Sequence, residues 1–166
     1  GIRLDHPDFA GRTVAGYDFV DDATTANDGD GRDSDPSDPG DWITAAENRS
    51  GPFRGCGASD SSWHGSHVAG ILGAAGNDEL GIAGVTWQSP ILPVRVLGKC
   101  GGLISDIADA LRLAAGIDVA GVPHNNQPAR VINLSLSGAG ACSNTEQSAI
   151  NDVLNQGVVV VVAAGN

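Results

Sequence analysis

Methionine is absent, aromatic residues make up only 4% of the chain, and basic residues are scarce. Nine Lys and Arg stand against twenty Asp and Glu, for a formal net charge of −11, and Lys99 is the one lysine. Phosphate backbones would repel such a chain, so nucleic acid is excluded as a natural partner. No apolar run approaches the ~18 residues that a membrane-spanning helix needs. Its longest apolar run, Val158 to Ala164, suits one buried strand. What is abundant is small: 24 glycines among 166 residues, without a three-residue period, and 41% hydrophobic residues. That composition argues against disorder and for a tightly packed protein with demanding loops.

Periodicity supplies the elements. Short apolar stretches at Val14–Val20, Ile91–Leu97, Val131–Leu134 and Val158–Ala163 read as strands. Between them, His64–Ala75, Ser105–Ala120 and Thr145–Gln156 read as helices, with Ser105 and either Thr145 or Ser143 as N-caps and Gly157 as a stop. Strands alternating with helices predict parallel βαβ units, hence an α/β, doubly wound parallel sheet with helices on both faces. Residues 1–166 read as a single, partial domain. Ligands of such sheets sit at the carboxyl ends of the strands, where Asn133–Gly138 and Ala163–Asn166 lie. The long polar stretch Asp21–Ser62 reads as a functional or ion-ordered loop.

Within that stretch, Asn27 to Asp35 (NDGDGRDSD) places Asp28, Asp30, Asp33 and Asp35 within eight residues. Like charges so close repel unless a cation lies between them, and the run resembles the start of an EF-hand loop without its distal Glu. Calcium is the expected ligand, with Asp38, Asp41 and Asp22 as weaker contributors; a solvated acidic loop is the alternative. The other informative segment is Trp63-His64-Gly65-Ser66-His67-Val68-Ala69-Gly70. Taken alone, its His pair fits a capped helix or a metal site as well as a catalytic base.

Three further segments fall in order with it: GIRLDHPDF at the start, VINLSLSG from Val131, and VVVVVAAGN at the end. Together the four resemble the subtilase family of serine proteases, in its bacterial secreted form. The resemblance implies a subtilisin-like fold and hydrolysis of peptide bonds in extended protein substrates through an acyl-enzyme. It makes His64 the general base and Asn166 the side-chain donor of the oxyanion hole. It places Ser135, Leu136 and Ser137 on one side of the substrate, Gly101 and Gly102 on the other, and Ala163, Ala164 and Gly165 in a pocket wall. The family's catalytic Asp would stand two residues before Gly1, and its Gly-Thr-Ser motif beyond Asn166, so these residues alone are expected to be inactive.

Cys56, Cys100 and Cys142 make an odd count, which leaves either a free thiol or a partner elsewhere. The resemblance implies a Cys56–Cys100 bridge, with Cys142 paired beyond Asn166 and the protein secreted; three free thiols are the alternative. It also implies a second calcium site at Asp8, Asp78 and the carbonyls of Leu80 and Ile82. Protein or peptide substrates and a propeptide are the expected partners of a monomer. A non-catalytic calcium-binding or interaction module on the same fold is the competing reading, and a metal hydrolase built on His64 and His67 a more distant one. His6 and His124 read as structural and surface residues.

Overall fold

A computed structural model describes residues 1–138 and 140–165. The chain divides into two compact units, the first spanning residues 1–102 and the second beginning at Leu103.

In the first unit a 3-10 turn, Pro7–Phe9, precedes β1 (Tyr17–Asp18), α1 (Ala23–Ala26), α2 (Ala45–Arg49), α3 (His64–Gly73) and β2 (Val94–Arg95). β1 and β2 pair in parallel, Tyr17 opposite Val94 and Asp18 opposite Arg95. Both strands are shorter than the apolar runs predict. Pro90 and Pro93 offer no N–H to the ladder. Isolated bonds prolong the pairing all the same, from Val14 N–H to the Ile91 carbonyl at 2.9 Å and from Phe19 N–H to the Arg95 carbonyl at 2.8 Å.

The polar stretch is not wholly irregular, as the sequence reading had it. Asp22 caps α1 by accepting from the Thr25 N–H, and Thr44 and Glu47 form a reciprocal capping box on α2. The Thr-x-x-Glu spacing carried that signal.

Ile2, Phe9 and Ala69 form a buried cluster, with Leu4 and Ile91 packed against it, so the chain's first residues are tied into the core beside α3. Phe19 and Val20 are fully buried, each worth roughly 1.5–3 kcal/mol relative to exposure. Beneath the acidic loop, Arg95 is also fully buried. Its guanidinium donates to Asp18 and Asp28, each at 2.5 Å, and to the Ala26 carbonyl. Burial pushes the Asp18 carboxyl up to about 6, against the opposing pull of the Val20 N–H and of Arg95.

The second unit carries α4 (Ile104–Ala114), β3 (Val131–Leu134), α5 (Asn144–Asn155) and β4 (Val159–Val162). β3 and β4 pair in parallel, from Val131 opposite Val159 to Leu134 opposite Val162. α4 packs on α5, and Arg112 bridges to Asp152 at 2.8 Å. Two expectations for α4 fail. Its N-cap is Leu103, without a side-chain cap bond, and Ser105 lies inside the first turn. The helix also stops at Ala114 rather than Ala120, because Gly116 adopts φ +80° and the Asn125 amide donates to the Leu113 carbonyl at 2.9 Å. For α5 the Ser143 cap and the stop at Gly157, φ +76°, are as predicted.

Candidate active site

His64 is the first residue of α3, and it is exposed. Trp63, before it, adopts the left-handed conformation (φ 48°, ψ 28°), so the chain turns sharply into the helix and presents His64 at its tip. No side chain of the N-cap residue closes the helix start. The Ser62 hydroxyl instead accepts the His64 backbone N–H at 3.3 Å.

The next residue explains the glycine of the motif. A Cβ on Gly65 would stand 2.0 Å from the Gly1 carbonyl oxygen, so only a bare backbone admits this approach. One residue further, the Ser66 hydroxyl accepts the Arg3 backbone N–H at 2.8 Å. The Arg3 guanidinium lies over the Trp63 ring at 5.2 Å and pairs with Asp5. The opening residues are thereby stitched to the helix that bears the histidine. His67, exposed one turn on, joins no metal-binding group: among the described residues no three His, Cys, Asp or Glu side chains gather closely enough to hold an ion.

Gly101 and Gly102 follow β2 in a tight turn, closed by the Gly98 N–H on the Gly101 carbonyl at 2.9 Å. The two glycines serve different needs. Gly101, at φ +116°, faces open space, whereas a Cβ on Gly102 would stand 2.1 Å from the Val96 carbonyl oxygen. Cys100, between that turn and Lys99, is bridged to Cys56. Lys99 is buried and donates to Glu47 at 2.6 Å, and its ammonium lies 5.0 Å from the Trp42 ring and 5.2 Å from the Phe53 ring. That hydrogen bond, together with the Thr44 backbone and hydroxyl, holds the Glu47 carboxyl down to about 2. The loop from Trp42 to Gly57 is thus latched to the Gly98–Gly102 turn by a disulfide, an ion pair and two cation–π contacts. The sequence reading identified the disulfide but not this lysine cage.

In the second unit, the Ala163 N–H donates to the Leu134 carbonyl at 3.0 Å, carrying the β3–β4 ladder past its end. A Cβ on Gly165 would lie 3.2 Å from the Ser137 hydroxyl. Ser135, Leu136 and Ser137 therefore run beside Ala163, Ala164 and Gly165, with Ser137 and the latter three exposed. Asn166 lies outside the described residues.

The acidic residues line an open depression of about 700 Å³ that includes Asp28, Asp30, Asp33, Asp35 and Asp38, with Arg3 and Trp63. Four of the five are engaged locally: Asp28 with Arg95, Asp33 with the Asp35 N–H at 2.7 Å, Asp35 with the Ser37 N–H at 3.0 Å and Asp38 with the Gly40 N–H at 3.0 Å. Asp8 is different. Its buried carboxylate lies 3.9 Å from His6 Nδ1, a nitrogen that accepts the Asp8 backbone N–H at 3.3 Å. A Cβ on Gly81 would meet that carboxylate at 2.5 Å. Asn77, Glu79 and Gly81 alternate in the left-handed region, curling the loop that holds Asp78, Leu80 and Ile82.

The family model described as the subtilase family, Peptidase_S8, matches residues 1–166. The chain belongs to the subtilase family. It is 53% identical over 165 residues to the extracellular protease of Xanthomonas campestris pv. campestris, covering 97% of this chain and 27% of that protein. Against thermitase of Thermoactinomyces vulgaris the identity is 35%, covering 100% of this chain and 44% of the relative. A solved protease of Pseudoalteromonas arctica superimposes with a TM-score of 0.90 at 50% identity, over all of this chain and 47% of that one. Sphericase follows at 0.68 and 28%, again over the whole of this chain and 43% of the other. The α/β arrangement of parallel strands and helices is therefore the subtilisin-like fold. This subtilase chain spans about a quarter of the length of the two curated bacterial relatives at 53% and 47% identity.

Proposed function

We propose that these residues supply the general-base histidine and the oxyanion asparagine of a secreted serine endopeptidase that cuts extended protein substrates. The observation that carries the reading is the placement of His64: an exposed imidazole at the first position of α3, with its motif glycine packed on Gly1. In the reaction His64 takes the proton of a serine hydroxyl as that oxygen attacks the scissile carbonyl, and returns it to the leaving amine. The Asn166 amide donates to the oxyanion that forms, and water then hydrolyses the acyl-enzyme. Ser135–Ser137 would pair with extended substrate backbone as an added strand, with Ala163–Gly165 as a pocket wall, and Gly101–Gly102 are a further substrate-binding segment.

The serine and the aspartate of the triad are supplied by sequence outside residues 1–166, so the isolated 166-residue chain is inactive. Secretion accords with the Cys56–Cys100 bridge and with relatives named as extracellular proteases. A propeptide and a monomeric state complete the reading.

Calcium is the proposed structural ion. Asp8 suits it best, as a buried carboxylate set against a glycine of the curled loop at Asp78, Leu80 and Ile82. The acidic loop at Asp28, Asp30, Asp33 and Asp35 is the second candidate, one whose carboxylates would have to draw together around the ion. The ion would neutralise charge and tie polar loops together.

The test is hydrolysis of an extended peptide by the full-length protein, and its blockade by a serine-directed phosphonylating reagent. Inhibitor-sensitive activity from residues 1–166 alone would contradict the division of labour proposed here.

A further inference from the structure

We infer that Asp41 is a positioning residue for His64, acting through Ser62; the inference rests on the protease reading above. Residues 40–43 run antiparallel to residues 59–62. Ile43 and Ser59 exchange two backbone hydrogen bonds, each at 2.9 Å. Gly40, at φ +114°, comes so close that a Cβ there would stand 2.4 Å from the Ser61 hydroxyl. At the end of this ribbon Asp41 grips Ser62 with both carboxylate oxygens. The Ser62 N–H donates to Oδ1 at 2.6 Å and the Ser62 hydroxyl to Oδ2 at 2.7 Å. With its proton committed to Asp41, the same hydroxyl turns a lone pair to the His64 N–H at 3.3 Å.

This relay stands where an N-cap side chain would otherwise be. α3 has no cap bond from its N-cap residue, and that residue, Trp63, is a bulky side chain in the left-handed region. A helix start so built has little of its own to hold it. Asp41 and Ser62 fix the residue before the turn, and through it the backbone of the base. Trp42, next to Asp41, faces the Lys99 ammonium at 5.0 Å, so the same ribbon is held in place from the side of the disulfide. An acidic residue first read as a weak calcium ligand thus has its carboxylate occupied by a serine that meets the catalytic histidine.

The experiment compares kcat and KM for Asp41→Ala, Ser62→Ala, the double variant and Asp41→Asn, all in the full-length protein. Each alanine variant should lose about tenfold or more in kcat, within the ~10²-fold that a small misplacement costs, with KM within about twofold. The double variant should be no worse than the weaker single, because the two residues form one relay. Asp41→Asn keeps an acceptor for the Ser62 N–H and should recover most of the loss. Unchanged kcat in folded Asp41→Ala, a rise in KM alone, or losses that multiply in the double variant would each overturn the inference. If Asp41→Ala does not fold, Ser62→Ala and Asp41→Asn decide it: undiminished kcat in Ser62→Ala contradicts the relay. An active wild type with indifferent variants sinks only this inference, whereas a wild type without peptidase activity sinks the function on which it rests.

Discussion

Gly65 lies against Gly1 at backbone distance: a Cβ on the first would stand 2.0 Å from the carbonyl oxygen of the second and 2.8 Å from its carbonyl carbon. These are backbone atoms, which cannot swing aside as a side-chain tip can. The contact fixes how the chain's opening segment meets the histidine that immediately precedes Gly65. Gly65→Ala is therefore expected to destabilise by about 1–3 kcal/mol through overpacking and to cut kcat/KM at least tenfold. Thermal denaturation and steady-state kinetics of the full-length protein measure both.

The Cys56–Cys100 bridge closes 44 residues. In the chain-entropy view a loop of that length confers about 4 kcal/mol by constraining the unfolded state. Replacing both cysteines with serine should lower the melting temperature by several degrees. The loop should nonetheless stay docked at neutral pH, because the Lys99 ammonium remains paired with Glu47 and seated against Trp42 and Phe53. Protection of residues 45–56 in hydrogen exchange distinguishes a docked loop from a released one.

Acid should release that latch. The Glu47 carboxyl is held down to about 2 from an ordinary 4.5, so its contribution is complete above about 4.5 and lost as the pH falls towards 2. In the cysteine-free variant, exchange in residues 45–56 should accelerate across that window. Lys99→Met should abolish the dependence. A loop equally protected at both ends of the window would show that the ion pair does not hold it.

Calcium removal should lower the melting temperature of the full-length protein, since an ion that binds only the folded state stabilises it by mass action. Asp8→Asn should remove most of the chelator's effect if the site lies where the buried carboxylate meets Gly81. Asp33→Asn tests the acidic loop in the same assay. No shift on chelation would dispose of both sites.

The histidine motif was legible because its residues are chemically and sterically constrained: His64 must be exposed, and Gly65 must lack a side chain. β3 and the two ends of α5 were legible for local reasons, a continuous apolar run in one case and Ser143 with Gly157 in the other. The failures are tertiary. Nothing local to Arg95 foretells that it is wholly buried beneath Asp18 and Asp28, 77 and 67 residues away. Lys99 offers no hint of its aromatic surroundings, because Trp42 and Phe53 reach it only through a folded loop. α4 stops short of its predicted end because the apolar periodicity continues past Gly116, where the backbone turns and the Asn125 side chain takes over a carbonyl. The role of Asp41 was hidden by its company: among so many aspartates, one that grips a serine looks like another metal ligand.

The central claim is that His64 is the base of a serine protease, and one comparison tests it most directly. Hydrolysis of an extended chromogenic peptide is measured for the full-length protein and for its His64→Ala variant, both verified as folded. In subtilisin-type enzymes loss of the base costs roughly 10⁶-fold in kcat, and a loss of that order is expected here. A folded His64→Ala protein that keeps activity within tenfold of wild type would contradict the account.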